Sequence, residues 1–149
     1  MAGPPIAAGV VVTGPAGEPR LVGSQCRDCG VITFPGQASC PACTSLSVGE
    51  RLLGRTGTLW TWTVQGFRPK PPYAGPEAGD GDFEPYGVGY VELPGEVRVE
   101  ARLTVADPAR LAIGMPMELV LVPFGETVTF AFAPVADGPP PPAAHGAAR

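Results

Sequence analysis

Four cysteines fall within 18 residues: Cys26, Cys29, Cys40 and Cys43. They read C-x2-C-x10-C-x2-C, as Cys26-Arg-Asp-Cys29-Gly30 and then Cys40-Pro-Ala-Cys43. Each C-x2-C can form a tight knuckle whose backbone amides point at the sulfurs. Two facing knuckles supply four thiolates in a tetrahedron, the donor set that Zn²⁺ accepts. Val31-Ile-Thr-Phe34 can carry a β-hairpin between them, and Gly30 permits the positive φ that such a knuckle uses. Two disulfides suit a chain with a secretory signal, which this sequence does not show. A thioredoxin-like pair wants one C-x2-C opening a helix in a βαβ unit. Iron, as in rubredoxin, stays chemically open. Zinc is the reading adopted, one per chain. Four thiolates close its coordination sphere, so the metal is structural and not catalytic. A ribbon this small depends on its metal to fold.

Other reactive constellations are scarce. The single histidine, His145, lies in a Pro/Ala-rich tail, which excludes histidine-dependent triads and histidine-ligated metals. Glu92, Glu96 and Glu100 alternate with apolar residues and read as solvated strand positions. Glu77, Asp80, Asp82 and Glu84 resemble a calcium loop but lack its twelfth-position glutamate. They read instead as a mobile acidic tip for a basic partner. No catalytic residue is assigned, and the chain is expected not to be an enzyme on its own.

The elements that must position the cysteines follow from composition and periodicity. Gly (21) and Pro (20) concentrate in three stretches of the 149 residues. These read as a flexible N-terminal segment at 1–19, a long internal loop at 66–85 and a flexible tail at 135–149. A zinc ribbon at 20–56 and a second domain at 57–134 remain. In the second domain the apolar period is two, not 3.6. Thr58–Val64 places Trp60, Trp62 and Val64 on one face, and both tryptophans read as core. Tyr86–Leu93 and Val97–Leu103 flank a Pro94-Gly95 turn; Val97, Val99, Ala101 and Leu103 point in, and Arg98, Glu100 and Arg102 out. Met117–Phe124 is apolar on both faces. Val128, Phe130 and Phe132 form one face of a fifth strand, with Thr127, Thr129, Ala131 and Ala133 outward. Asp107-Pro-Ala-Arg-Leu111 is the one helical segment, with Asp107 as its cap. Five strands with a short helix between the third and fourth is the order of an OB-fold barrel; an open five-stranded sheet is the alternative. The fold class expected is mainly β, a rubredoxin-like zinc ribbon followed by a five-stranded OB-fold barrel.

The net charge is −4, with −5 in residues 57–134 and +2 in 20–56. Zinc and four thiolates add −2 and cancel the latter, leaving a local basic face of Arg20, Arg27, Arg51 and Arg55. A nucleic-acid binder carries a basic footprint, so nucleic acid is not expected as a partner. A nucleic-acid-binding ribbon/OB-fold protein is kept as the alternative. No apolar run nears the ~18 residues of a membrane span. Ile6–Val12 is too short for a signal segment and no basic stretch precedes it. A cytoplasmic protein is expected.

These motifs resemble a family. The sequence is similar to the zinc-ribbon plus OB-fold accessory proteins of acyl-CoA metabolism over roughly residues 20–134. The resemblance rests on Cys26-x2-Cys29-Gly30, Phe34-Pro35, Cys40-Pro41-x-Cys43, Gly57-Thr58 and Ala106-Asp-Pro-x-x-Leu111-x-Ile-Gly-Met-Pro116. It implies a non-catalytic subunit paired with a thiolase-fold enzyme, often of the lipid-transfer type, with two copies of each. It further implies that the pair shares an acyl-CoA ligand for thiolysis, acyl transfer or retro-aldol cleavage, as of a steroid side-chain CoA ester. The 66–85 loop joins the first two barrel strands, where OB-folds bind ligands. Phe67, Arg68, Lys70, Tyr73 and Tyr86 there are candidates for CoA-binding or partner-facing roles, since aromatics stack adenine and cations meet phosphates. Equally, Phe67 and Tyr73 pin a long loop, and Arg68 and Lys70 are solvated. Gly87 and Gly89 either clear a pantetheine channel or make room for a tryptophan.

Overall fold

The computed structural model describes residues 3–136. His145 and the tail beyond residue 136 lie outside the described residues. The chain begins with four short strands: β1 (Val11–Thr13), β2 (Pro19–Cys26), β3 (Ile32–Thr33) and β4 (Val48–Leu52). Every one of the other three pairs antiparallel with β2. The first of them was not expected from the sequence. Its Val-Val-Thr run is β-branched and suits a pleated surface, and its register, Val11 opposite Leu21, recruits part of the 1–19 segment into the ribbon. Further upstream, Ile6 donates to the Val128 carbonyl at 2.8 Å and Val128 to the Pro4 carbonyl at 2.9 Å. The Gly/Pro content of this segment hides those pairings, because they are made with partners more than a hundred residues away.

Five more strands close a barrel: β5 (Thr56–Gln65), β6 (Tyr86–Glu92), β7 (Arg98–Leu103), β8 (Pro116–Phe124) and β9 (Thr127–Pro134). Their order is β5-β6-β7-β9-β8, with β8 returning to β5. That is the OB-fold arrangement, not an open sheet. The parallel pairing of β7 with β9 closes the barrel. The expected helix is one 3₁₀ turn, Pro108–Arg110, whose Ala109 amide donates to the Asp107 carboxylate at 2.9 Å.

One core serves both parts. Leu59, Val91, Val99, Met117, Leu119 and Phe132 are fully buried inside the barrel, and Leu21 and Leu53 of the ribbon are fully buried in the same cluster. Burying a leucine contributes about 1.5–3 kcal/mol, so these two side chains weld the ribbon to the barrel. Around them, Glu96 of the β6–β7 turn accepts from Arg51 Nε at 2.9 Å and from the Gly54 amide at 2.6 Å. Arg20 Nε donates to the Leu53 carbonyl at 2.8 Å. The Phe34 ring of the ribbon meets Phe130 of β9 edge-on at 5.5 Å between centroids.

Several sequence expectations change here. Glu96 is a clamp between ribbon and barrel, not a solvated strand residue, and its partner Arg51 is withdrawn from the proposed basic face. Trp60 and Trp62 do not share a face. The β5–β6 register shifts between Leu59 and Thr61, so the strand holds one extra residue, a bulge that reverses the inward phase. Leu59 and Trp62 therefore point to the core and Trp60 is 46% exposed. Gly87 and Gly89 make room for neither a channel nor a tryptophan. A Cβ at Gly87 would collide with the Val105 carbonyl, and one at Gly89 would lie 2.7 Å from the Thr61 carbonyl and 3.0 Å from Leu59. Both allow the barrel backbone to approach itself. Ala131 lies on the outer face, opposite Arg102 and Val120, yet is fully buried there. The two faces of β8 have different partners: Met117 and Leu119 enter the core, and on the other face Phe124 packs edge-on against Tyr73 of the 66–85 loop.

The core assignment sets a testable contrast. Phe132→Ala should cost about 3–5 kcal/mol, as for other buried phenylalanines. Trp60→Ala should cost about 1 kcal/mol or less, since it removes a half-exposed ring. Urea unfolding midpoints at unchanged slope check both; a larger loss at Trp60 than at Phe132 would reverse the inward phase assigned to β5.

Candidate metal centre and ligand groove

The two knuckles face each other as their spacing requires. In the first, the Gly30 amide donates to the Cys26 carbonyl at 3.0 Å; in the second, the Thr44 amide donates to the Cys40 carbonyl at 2.9 Å. Gly30 sits at φ +77° and Thr44 at φ +62°. The same left-handed corner thus falls on glycine in one knuckle and on a β-branched residue in the other. Ser45 donates to the Asp28 carboxylate and ties the two knuckles together. Cys26 and Cys40 are buried while Cys29 and Cys43 are exposed.

All four sulfurs lie within 4.8 Å of one another. Cys26 and Cys43 Sγ are 3.6 Å apart, and Cys29 and Cys40 Sγ are 3.5 Å apart. A tetrahedron with Zn–S bonds of 2.3 Å needs sulfurs about 3.8 Å apart, so the arrangement fits one zinc ion. The electrostatics agree. The Cys29 amide, and after it that of Asp28, help draw the Cys26 thiol down to about 6. At Cys43 the Ser45 amide acts in the same direction, but the contacts with Cys26 and Cys29 outweigh it and push the thiol up to about 12. Four sulfurs this close cannot all ionise alone; a dication removes the conflict. One structural zinc per chain is the result.

The second feature is a groove of about 630 Å³, within the range of small-molecule sites. Its floor is the outer face of β6 and β7, where Tyr86, Tyr90, Arg98 and Arg102 stand. The ribbon contributes Phe34 and Pro35, the N-terminal segment Ile6 and Val10, and the β8–β9 hairpin Phe124 and Phe130. This is the face that OB-folds use for ligands. Its arginines are already engaged. Arg98 pairs with Glu92 at 2.8 Å and lies 4.0 Å over the Trp60 ring. Arg102 pairs with Glu77 and lies 4.0 Å over the Tyr86 ring.

Of the five candidate ligand residues, Tyr73 and Tyr86 line the groove. The other three are not brought to its wall. Phe67 is 73% exposed, Lys70 is exposed, and Arg68 donates to the Gly81 carbonyl and closes the loop on itself. Glu77, read as part of a mobile acidic tip, is instead held against the barrel, with Tyr73 Oη donating to it at 2.6 Å. Burial alone raises the Glu77 pKa, but the Arg102 guanidinium and the Tyr73 hydroxyl outweigh it and hold the carboxyl below its usual value. Burial, and then Glu77, raise the pKa of Tyr73. Strand alternation identified Arg98 and Arg102 as outward; only the ribbon packed above them makes that exterior a groove wall.

Removing the metal should unfold more than the ribbon, because Leu21 and Leu53 belong to the barrel core. Metal analysis should find one zinc per chain. Cys40→Ser or a strong chelator should lower the barrel's own thermal midpoint, read by far-UV circular dichroism; an unshifted barrel transition would show two independent units. Thr44→Gly should keep the zinc and raise the midpoint, relieving about 1 kcal/mol of left-handed backbone strain.

Comparison with known proteins places the chain. The ChsH2 rubredoxin-like zinc ribbon domain matches residues 14–48, and the ChsH2 C-terminal OB-fold domain matches residues 50–122. A DUF35 domain-containing scaffold protein of Pyrococcus furiosus is 31% identical over 101 residues, covering 68% of each chain. The benzoylsuccinyl-CoA thiolase subunit BbsA of Thauera aromatica is 31% identical over 85 residues, covering 57% of this chain and 52% of that subunit. The chain therefore spans about two thirds of the archaeal scaffold proteins and about half of the thiolase subunit. The solved Ltp2-ChsH2(DUF35) aldolase superposes with a TM-score of 0.60 at 30% identity, covering 77% of this chain and 84% of that one. With its four-cysteine ribbon running directly into a closed OB-fold barrel, this chain belongs to the ChsH2-type DUF35 family.

Proposed function

We propose that this chain is a non-catalytic accessory subunit of an acyl-CoA enzyme. It binds a thiolase-fold partner, two copies of each, and helps hold the CoA thioester in its groove. The partner performs the chemistry: thiolysis, acyl transfer, or retro-aldol cleavage such as that of a steroid side-chain CoA ester. The observation that carries this reading is the 30% identity to an Ltp2-ChsH2(DUF35) aldolase chain across ribbon and barrel together. The name of the Thauera relative, a thiolase subunit, supports the same kind of partner.

The chemistry of the described residues is consistent with that division of labour. The four thiols are committed to one metal centre. Glu77, Glu92 and Glu96 are each paired with an arginine, and Glu100, in the groove wall, accepts from the Tyr90 hydroxyl at 3.0 Å. Glu77, held below its usual carboxylate range by Arg102 and Tyr73, is a poor general base, because proton transfer needs a pKa near the working pH. What the groove offers instead is apolar length from Phe34, Phe124 and Phe130, aromatic faces from Tyr86 and Tyr90, and cationic edges. Such a lining suits an elongated ligand with an aromatic and an anionic end.

Co-expression with a thiolase-fold protein from the same source should give one gel-filtration peak containing both chains. The isolated chain should show no turnover of an acyl-CoA. Separate elution at micromolar concentration, with the thiolase-fold protein fully active alone, would overturn the accessory-subunit reading.

A further inference from the structure

The loop between β5 and β6, residues 66–85, has no secondary structure of its own and reaches the groove wall through Tyr73. Its own bonds are mostly internal: the Tyr73 amide to the Lys70 carbonyl, the Ala78 amide to the Gly75 carbonyl, and Arg68 to the Gly81 carbonyl. Among the described residues, its hydrogen bonds to the barrel, beyond the one from neighbouring Gln65, converge on Arg102. Arg102 Nη2 pairs with Glu77 Oε1, and its Nη1 lies 3.3 Å from Oε2. The guanidinium fork thus holds both carboxylate oxygens. Tyr73 Oη adds a third donor to Glu77 Oε2 at 2.6 Å. The Glu77 side chain is 9% exposed and that of Arg102 23%.

We propose that Arg102 is the groove's seat for an anionic ligand group, a phosphate or a carboxylate, and that Glu77 fills this seat until such a ligand displaces it and frees the loop. Three features of the site argue for exchange over a permanent structural pair. The arginine fork is matched to any anion with two oxygens in one plane, so a ligand oxygen pair can replace the Glu77 pair atom for atom. Arg102 is held independently of the loop by its place on β7 and by stacking on Tyr86, so the seat persists when the loop leaves. Replacing one anion by another also leaves no buried charge unpaired, whereas simple opening of the loop would strand Arg102 half-buried. The loop is therefore shut without a ligand and released with one, and Tyr73, edge-on to Phe124 at 5.7 Å, is carried out of the groove with it.

The inference rests on the reading that the groove receives an acyl-CoA, and its test is separable from that reading. Amide hydrogen exchange of residues 73–78 is measured in the full chain without ligand or partner. Glu77→Gln should raise it at least tenfold; unchanged exchange overturns the latch, whatever the outcome of co-elution. Binding is then titrated with two probes, coenzyme A and succinate. Glu77→Gln should bind one of them at least tenfold more tightly than the natural chain, and Glu77→Gln with Arg102→Gln should lose that gain. Tightening for coenzyme A assigns the seat to a phosphate, and for succinate to a carboxylate. Equal affinities of Glu77→Gln and the natural chain for both probes overturn the seat. The natural chain needs no variant: at probe concentrations where it is saturated, exchange at 73–78 should rise, and continued protection overturns the proposal.

Discussion

The seam between ribbon and barrel is the constraint on which the rest of this structure depends. Leu21 and Leu53 are fully buried in the barrel's core although both belong to the ribbon. Each stabilises by about 1.5–3 kcal/mol, more than the exposed portion of an ion pair such as Arg51–Glu96 provides. The polar contacts around them set direction. Glu96 receives Arg51 and the Gly54 amide, so the linker between β4 and β5 can leave the ribbon at one angle only. Zinc acts through the same seam: by closing the two knuckles it shapes the sheet from which Leu21 descends. Ribbon and barrel thus share one apolar core.

Because the ribbon is held at that angle, Phe34 and Pro35 overhang the outer face of β6 and β7. An OB-fold exposes this face to solvent or to a ligand. Here the overhang converts it into a groove with an apolar roof and a floor carrying tyrosines and arginines. The N-terminal segment completes the wall by hydrogen bonding to β9 through Ile6 and Val128. The acidic balance of the barrel is misleading at this place. Glu77 and Glu92 lie against the groove's two arginines and offset them, with Glu100 in the wall beside them, although the chain carries −4 overall. A groove of that kind suits an elongated ligand with an aromatic and an anionic end.

Much of this was legible in the residues themselves. The C-x2-C pair, the glycine after Cys29 and the short spacer specify a tetrathiolate centre, because ligand geometry at a knuckle is local and involves few residues. The five strands were legible for the same reason. An inward-outward period of two is a property of each strand, and Val97 to Leu103 shows it without interruption. The order of strands with a capped turn at Asp107 carried the topology. The family resemblance added the kind of partner, which no local pattern contains.

Tertiary structure decided what depends on register and on distant pairs. One extra residue at Trp60 reversed the inward phase of β5 and sent a tryptophan to the surface; a bulge is set by the partner strand and leaves no mark in the alternation itself. Gly87 and Gly89 answered to carbonyls brought in by neighbouring strands. Glu77 read as part of an acidic tip and Glu96 as a solvated strand position, yet each is paired with an arginine, which the pattern hides because those arginines lie 25 and 45 residues away. The segment before residue 20 found its partners in β2 and β9. The sequence by itself determined the metal centre and the strand set, since both arise from neighbours along the chain. The groove, the pairing of its charges and the loop at its wall were decided only when the shared core locked the ribbon over the barrel.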